Sequence, residues 1–175
     1  MSAPDSLTKA LCTECGLCCD GSLLAEVELT GEGEADRLEA LGFDVEEGDE
    51  HGRDAWFLPL PCGALCGSKC TIYEHRPETC RTFECRLLKD AAAGAVKLAA
   101  ALKTVARARK YRDAALALLT TLDPDNETGG LPLQERISET VLALEERGGR
   151  DSRVGELNTR MEQLTKILAV NFLGE

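Results

Sequence analysis

Nine cysteines lie between Cys12 and Cys85, and the rest of the chain contains none. The first ten residues carry neither the basic segment nor the apolar stretch of a secretory signal. We therefore expect a cytoplasmic protein, in a reducing compartment where a disulfide framework is disfavoured. Clustered thiols in that setting indicate metal or redox chemistry.

The first cysteine group, Cys12-Thr-Glu-Cys15-Gly-Leu-Cys18-Cys19, contains two CxxC steps in series. This spacing predicts a tight loop that brings the first three thiols to one side, with Gly16 relaxing the backbone. Because adjacent side chains diverge, we expect Cys19 to point toward a second centre or the far side of a cluster.

Two further groups follow, Cys62/Cys66/Cys70 and Cys80/Cys85. On a helix starting at Pro77, the last two thiols are about 140° apart at 3.6 residues per turn, which again favours two centres. A structural zinc site and a [4Fe–4S] cluster each take four ligands. Nine thiols therefore allow two such sites and one spare. Nearby cations are candidates for interacting with the metal-bound sulfurs, Arg81 foremost among Lys69, Arg76, Arg81 and Arg86.

The remaining pattern predicts a mostly α fold with minor β structure, in which Cys-rich metal-binding loops pack against a small helical bundle. Residues 1–90 form the cysteine-cluster region and residues 91–175 a helical region packed on it as one structural domain. One short helix is predicted after Thr30, which would be its N-cap. Further helices are predicted over residues 77–92, 97–122, 132–146 and 153–170. Residues 22–29 read as a strand, residues 43–53 as an acidic loop, and residues 55–60 as an extended edge segment limited by Pro59 and Pro61.

The charge pattern restricts the partners. The net charge of −11 resides in the first 90 residues, which disfavours nonspecific nucleic-acid binding and adsorption to an anionic membrane. No apolar run is long enough to span a bilayer. Residues 97–112 are basic without an acid. We expect that run to be a solvated face docking against the acidic half, with RNA or an acidic protein as the alternative partner.

Two blocks, Cys12-x-x-Cys15-Gly-x-Cys18-Cys19 and Cys70-Thr-Ile-Tyr-Glu-His-Arg-Pro-Glu-Thr-Cys80-Arg-Thr-Phe-Glu-Cys85, resemble the YkgJ-type cysteine cluster family, also called the CxxCxxCC family. The resemblance covers roughly residues 10–90 and implies chelation of zinc or iron. It implies the ligands Cys12, Cys15, Cys18, Cys19, Cys62, Cys70, Cys80 and Cys85. Cys66 departs from the family pattern and is the candidate spare thiol.

The metal and the activity stay open at this point. One hypothesis is a noncatalytic zinc module, and another is an iron–sulfur redox protein or cluster-dependent enzyme. The same motif style occurs in flagellin lysine N-methylases, so the resemblance allows a third, methylase-like activity. The methylase-like activity is disfavoured because the sequence has no GxGxxG-like nucleotide-binding loop, and the pair Gly31-Glu-Gly33 stands alone. His75 and His51 are expected to be surface residues rather than ligands.

Overall fold

A computed structural model of the chain describes residues 5–49, 51–148 and 151–175. Its helices are α1 Asp5–Cys15, α2 Glu32–Ala40, α3 Glu78–Thr82, α4 Arg86–Ala92, α5 Leu98–Leu122, α6 Leu133–Glu146 and α7 Ser152–Leu168. Its strands are β1 Glu26–Glu28, β2 Glu46–Asp49, β3 Asp54–Pro59, β4 Leu65–Cys66 and β5 Lys69–Cys70. A 3-10 turn covers Tyr73–His75, and a π-type turn at Ala169–Leu173 follows α7. The predicted mostly α fold with minor β structure is confirmed.

The long helix α5 is the centre of the helical part and packs against α1, α4, α6 and α7. Its predicted span, residues 97–122, is confirmed to within one residue. Gly94, with a φ of 73°, ends the preceding helical segment, and α5 itself ends before Asp123. The helical core also takes residues from before the predicted division at residue 90: Leu11, Leu17, Leu87 and Leu88 are buried in it. Among the described helices, none combines the length and apolar character needed to cross a bilayer.

The basic run on α5 is only partly a solvated face. Lys103, Arg107 and Lys110 are exposed, but Arg112 is buried and paired with Asp20. Arg109 donates from Nη1 to the Glu14 carbonyl at 2.6 Å. The predicted docking against the acidic half therefore occurs through Arg109 and Arg112. The burial of Arg112 and the partial burial of Arg109 correct the expectation of a wholly solvated run.

A three-stranded antiparallel sheet in the order β1-β3-β2 forms a second, smaller core. The prediction that residues 55–60 form an edge was wrong, because β3 is the central strand. Pro59 is its last residue and pairs with Glu26, so the missing N–H affects only the strand end. The strand β2 lies in the predicted acidic loop. All four of its residues are exposed, and so no apolar alternation marked it in the sequence.

Other local predictions were also corrected. The segment before Gly16 is the helix α1, so Cys12 and Cys15 lie on its last turns rather than in a loop. The predicted helix 77–92 is two helices, separated by extended backbone at Phe83 and Cys85. Thr30 does not cap α2 with its side chain. Instead, Glu34 Oε2 accepts hydrogen bonds from the Thr30 N–H and hydroxyl at 3.0 and 3.1 Å.

Candidate metal centre

All nine cysteines lie in the described part of the chain and are free thiols there. They come from separate elements whose order is set by the fold: the end of α1, the loop after it, the β3–β4 connection, the β4–β5 hairpin, α3 and the start of α4. The hairpin and α1 touch through Ser68, whose hydroxyl donates to the Thr13 carbonyl. Long-range packing therefore brings together thiols that are up to 73 positions apart, from Cys12 to Cys85.

The loop Gly16–Gly21, here called the ligand loop, carries the two consecutive cysteines. Gly16 has a φ of +73°, and a Cβ there would lie 3.2 Å from the Ser68 Cα, so glycine is required both for conformation and for close approach. The N–H groups of Cys19 and Asp20 donate to the Gly16 carbonyl at 2.9 and 3.0 Å. This turn separates the surroundings of Cys18 from those of Cys19.

The helix-side group comprises Cys12, Cys15, Cys18 and Cys85, and two of these, Cys15 and Cys85, pack against the helical core. Burial, followed by negative charge on Cys85, raises the pKa of the Cys12 thiol to about 11, although part of this side chain is exposed. Burial raises the pKa of Cys15 to about 12. Burial and then the charges of Cys15 and Cys85 raise the pKa of Cys18 well above its ordinary value. The three predicted companions Cys12, Cys15 and Cys18 therefore do share one neighbourhood.

The sheet-side group comprises Cys19, Cys62, Cys70 and Cys80, and it borders the smaller core through Cys62 and Cys80. Burial raises the pKa of Cys19 to about 12, with further increases from negative charge on Cys80, Cys62 and Cys70. Burial and the charges of Cys62 and Cys70 raise the pKa of Cys80 to about 11. Cys18 and Cys19 thus have different principal partners, although the two residues still influence each other.

Backbone N–H groups interact with several of these sulfurs. The Leu17 N–H lowers the pKa of Cys15, the Ala64 N–H that of Cys62, and the Leu88 N–H that of Cys85, in each case against the larger raising effect of burial. Cys85 is the N-cap residue of α4, and the N–H groups near its sulfur belong to the first turn of that helix, where backbone N–H groups have no partner within the helix. Each such N–H lowers the pKa of its thiol and stabilises the thiolate, which is the form that binds metal.

Arg76 is a cation whose charge reaches both groups, since it lowers the pKa of Cys12 and of Cys80. Arg81, the foremost candidate from the sequence, instead donates to the backbone carbonyls of Arg76 and Glu74. Arg86 pairs with Asp90 at 2.7 Å. The linear spacing offered no reason to prefer Arg76 over the other three cations. Its closeness to the thiols depends on how the segment before α3 folds back.

Glu34 is a residue that the sequence analysis did not single out. It is buried, and its Oε1 accepts the Glu78 N–H at 2.9 Å, two residues before Cys80. Glu34 therefore fixes the start of α3 to α2 and sets the place of one sheet-side thiol. The capping-box pattern from Thr30 to Glu34 is offset by one residue from the usual spacing, which hid this role.

Cys66, His51 and His75 are exposed. None of them is among the main charges that act on the thiols of either group. Within residues 5–49, 51–148 and 151–175, no three His, Cys, Asp or Glu side chains are arranged closely enough to hold a metal ion. The fold therefore brings eight thiols into two groups that are close enough for their charges to interact. Binding a metal requires the side chains of each group to move closer together. The assignment of these eight residues as ligands stays a prediction.

The donor set fits zinc or iron. Each group offers four soft sulfur donors, the number that a closed structural zinc site or a [4Fe–4S] cluster takes. Seven of the eight thiols are partly buried and Cys12 is exposed. The N–H donors and Arg76 compensate part of the charge that four thiolates carry. Hard, oxygen-preferring cations such as Mg²⁺ or Ca²⁺ do not match this chemistry.

Comparison with known proteins gives one assignment. The family model “CxxCxxCC: Putative zinc- or iron-chelating domain” matches residues 11–104, which include all nine cysteines and more than half of the chain. No curated protein and no solved structure matches the chain. The chain therefore belongs to the CxxCxxCC family of zinc- or iron-chelating domains.

Proposed function

We propose that this protein binds two metal centres, one held by the helix-side group and one by the sheet-side group. The observation that supports the proposal is the division of eight thiols into two sets of four, with Cys66 outside both. In the helix-side centre, Cys12, Cys15, Cys18 and Cys85 are the ligands. In the sheet-side centre, the ligands are Cys19, Cys62, Cys70 and Cys80.

The role of the metal in this proposal is first to hold the fold together. Each group borders one of the two hydrophobic cores and joins elements that are distant in sequence. Because metal binding to such ligands is linked to folding, its free energy adds to the stability of the folded chain. A noncatalytic scaffold with zinc in both centres is the simplest form of this function.

An iron–sulfur protein is the second candidate. The N–H groups at Cys15, Cys62 and Cys85 favour it, since hydrogen bonds to sulfur are one means by which proteins tune cluster potentials. A cluster bound here would supply electron transfer or support a cluster-dependent reaction, including a methylase-like one. The thiol chemistry of both candidates suits a reducing compartment such as the cytoplasm. The net charge of −11 disfavours nucleic acid as a partner.

Anaerobic purification followed by elemental analysis tests the proposal. Two zinc ions per chain in a colourless protein would support the scaffold. Brown protein with iron and acid-labile sulfide, bleaching in air, would support the cluster. A folded, oxygen-protected chain containing neither zinc nor iron, and taking up neither on reconstitution, would refute both.

A further inference from the structure

The ligand loop is anchored to several parts of the fold, three of which lie outside the sheet-side group. At its start, Gly16 lies against Ser68 of the β4–β5 hairpin. At its end, the Gly21 carbonyl accepts the Leu133 N–H at 3.0 Å. Between them, Asp20 forms an ion pair with Arg112 of α5. A segment of six residues is therefore fixed to the hairpin, to α6 and to the central helix.

The Asp20–Arg112 pair is the anchor with the greatest physical constraint. Arg112 is only 9% exposed, on a helix whose other buried residues are apolar. Its Nη1 contacts Asp20 Oδ2, and its Nε contacts Asp113 Oδ1 at 2.6 Å. Asp20 Oδ1 also accepts the Ser22 N–H at 2.9 Å. Because a buried arginine is costly without a carboxylate partner, the pair specifies where the loop sits on α5.

The same loop serves both thiol groups. Cys18 is near Cys15 and Cys85, which pack against the helical core. The Cys19 carbonyl accepts the N–H of Cys62, which packs against the sheet core, at 2.8 Å. One peptide bond joins Cys18 to Cys19. A loop orientation in which Asp20 rests on Arg112 therefore presents one thiol to each group at the same time.

We propose that metal enters the two groups cooperatively, and that Arg112 is the positioning residue for this coupling. The inference rests on the proposed function. Metal in either group favours the loop orientation in which Asp20 rests on Arg112. The first metal to bind must supply the free energy that orders the loop. The second metal finds the loop already ordered in the same orientation and therefore binds more tightly than the first. By linkage, the gain is the same whichever group is filled first.

Native mass spectrometry with Zn²⁺ alone, added at one equivalent per chain and fully bound, tests the coupling directly. Two independent sites, equal or unequal, then leave at least half of the chains with one zinc. We expect fewer than half, with the zero-zinc and two-zinc species in excess. A one-zinc species at half or more in the wild type would overturn the inference while leaving the proposed function intact. Failure to bind any zinc or iron would instead refute the proposed function.

The Arg112→Met variant tests the positioning role. We expect its one-zinc fraction to rise to half or more at one equivalent, while excess Zn²⁺ still fills both groups. Arg112→Lys keeps the charge and should restore part of the coupling. Arg153→Met is the matched control, since it removes the ion pair that Arg153 of α7 makes with Asp151, the residue before that helix. A zinc distribution in Arg112→Met equal to that of the wild type would overturn the role of Arg112. If circular dichroism shows that Arg112→Met is unfolded, Arg112→Lys is the variant that tests the role. Coupling in Arg112→Lys equal to that of the wild type would contradict a need for the guanidinium group with its several N–H donors.

Discussion

The guanidinium carbon of Arg76 lies 3.6 Å from the centre of the Tyr73 ring, and its charge reaches one thiol of each cysteine group. Stacking on the ring and a hydrogen bond from Nε to the Tyr73 carbonyl at 3.1 Å fix the direction of the side chain. A mobile surface cation would be screened by solvent, whereas this one is held in place by Tyr73. Arg76 is thus a shared source of positive charge.

Replacing Arg76 with Gln should weaken metal binding at both groups. Loss of the cation leaves more thiolate charge uncompensated, and groups around metal ligands typically contribute about 10- to 100-fold in affinity. Arg76→Lys should retain part of the affinity, because the charge remains while the planar stacking is lost. Competition with a chromophoric chelator measures the effect. Arg107→Gln, on the exposed face of α5, is the control, and equal affinities in Arg76→Gln and the control would contradict the prediction.

Cys80→Ser should remove metal from the sheet-side group. The variant leaves three of four thiols there, so we expect it to lose about one metal equivalent and several kcal/mol of unfolding free energy. Elemental analysis and urea unfolding measure the two effects. Cys66→Ser is the matched control, since Cys66 is exposed and outside both groups. Loss of metal in Cys66→Ser, with retention in Cys80→Ser, would reverse the ligand assignment.

Metal affinity should rise with pH. Burial is the main cause that raises the pKa of Cys12 and Cys80 to about 11 and the pKa of Cys15 and Cys19 to about 12. These thiols therefore hold their protons at neutral pH before binding, and metal must displace them. Acid weakens binding for this reason, and we expect the apparent affinity to increase steadily from about pH 6 to about pH 8. Calorimetry in buffers of different ionisation enthalpy counts the protons released, and binding without proton release would contradict these raised pKa values.

Glu34→Gln should destabilise the start of α3. Desolvation opposes ionisation of Glu34, but hydrogen bonds from Thr30 and Glu78 outweigh it and lower the pKa of the carboxyl. Its contribution is therefore present above the ordinary value of 4.5 and is lost as pH falls through the lowered folded pKa. We expect a loss of about 1–3 kcal/mol at neutral pH. Urea unfolding at pH 7 measures it against Glu39→Gln, an exposed control on the same helix. Equal stability of the two variants would count against the role of Glu34.

A fragment of residues 1–90 should not fold as the intact chain does. Leu11, Leu17, Leu87 and Leu88 are buried in the core that α5, α6 and α7 complete. Removing the later helices exposes these side chains, each at a cost of about 1.5–3 kcal/mol. Circular dichroism and metal content of the fragment measure the result. Native-like helicity with full metal content would show instead that the cysteine region is independent of the helices.

Much of the helical half follows from local sequence signals. Gly94 and the Pro132 helix start delimit α5 and α6 within one or two residues of the prediction. These signals act over a few residues, through φ preferences and missing N–H groups, so they can be read without the fold. The cysteine region is different, because β2 forms by pairing with β3 and has no local signal of its own.

The amino-acid sequence alone specifies the chemistry of the site, namely nine thiols, their family motif and the number of metal ligands they allow. Which thiols are neighbours depends on the folded chain. Cys18 and Cys19 are separated because one side of the ligand loop faces the helical core and the other faces the sheet. Arg112 is buried rather than solvated because Asp20 is carried to it by the same loop. Such contacts join residues far apart in the chain, and only packing of the completed cores brings them within reach of one another.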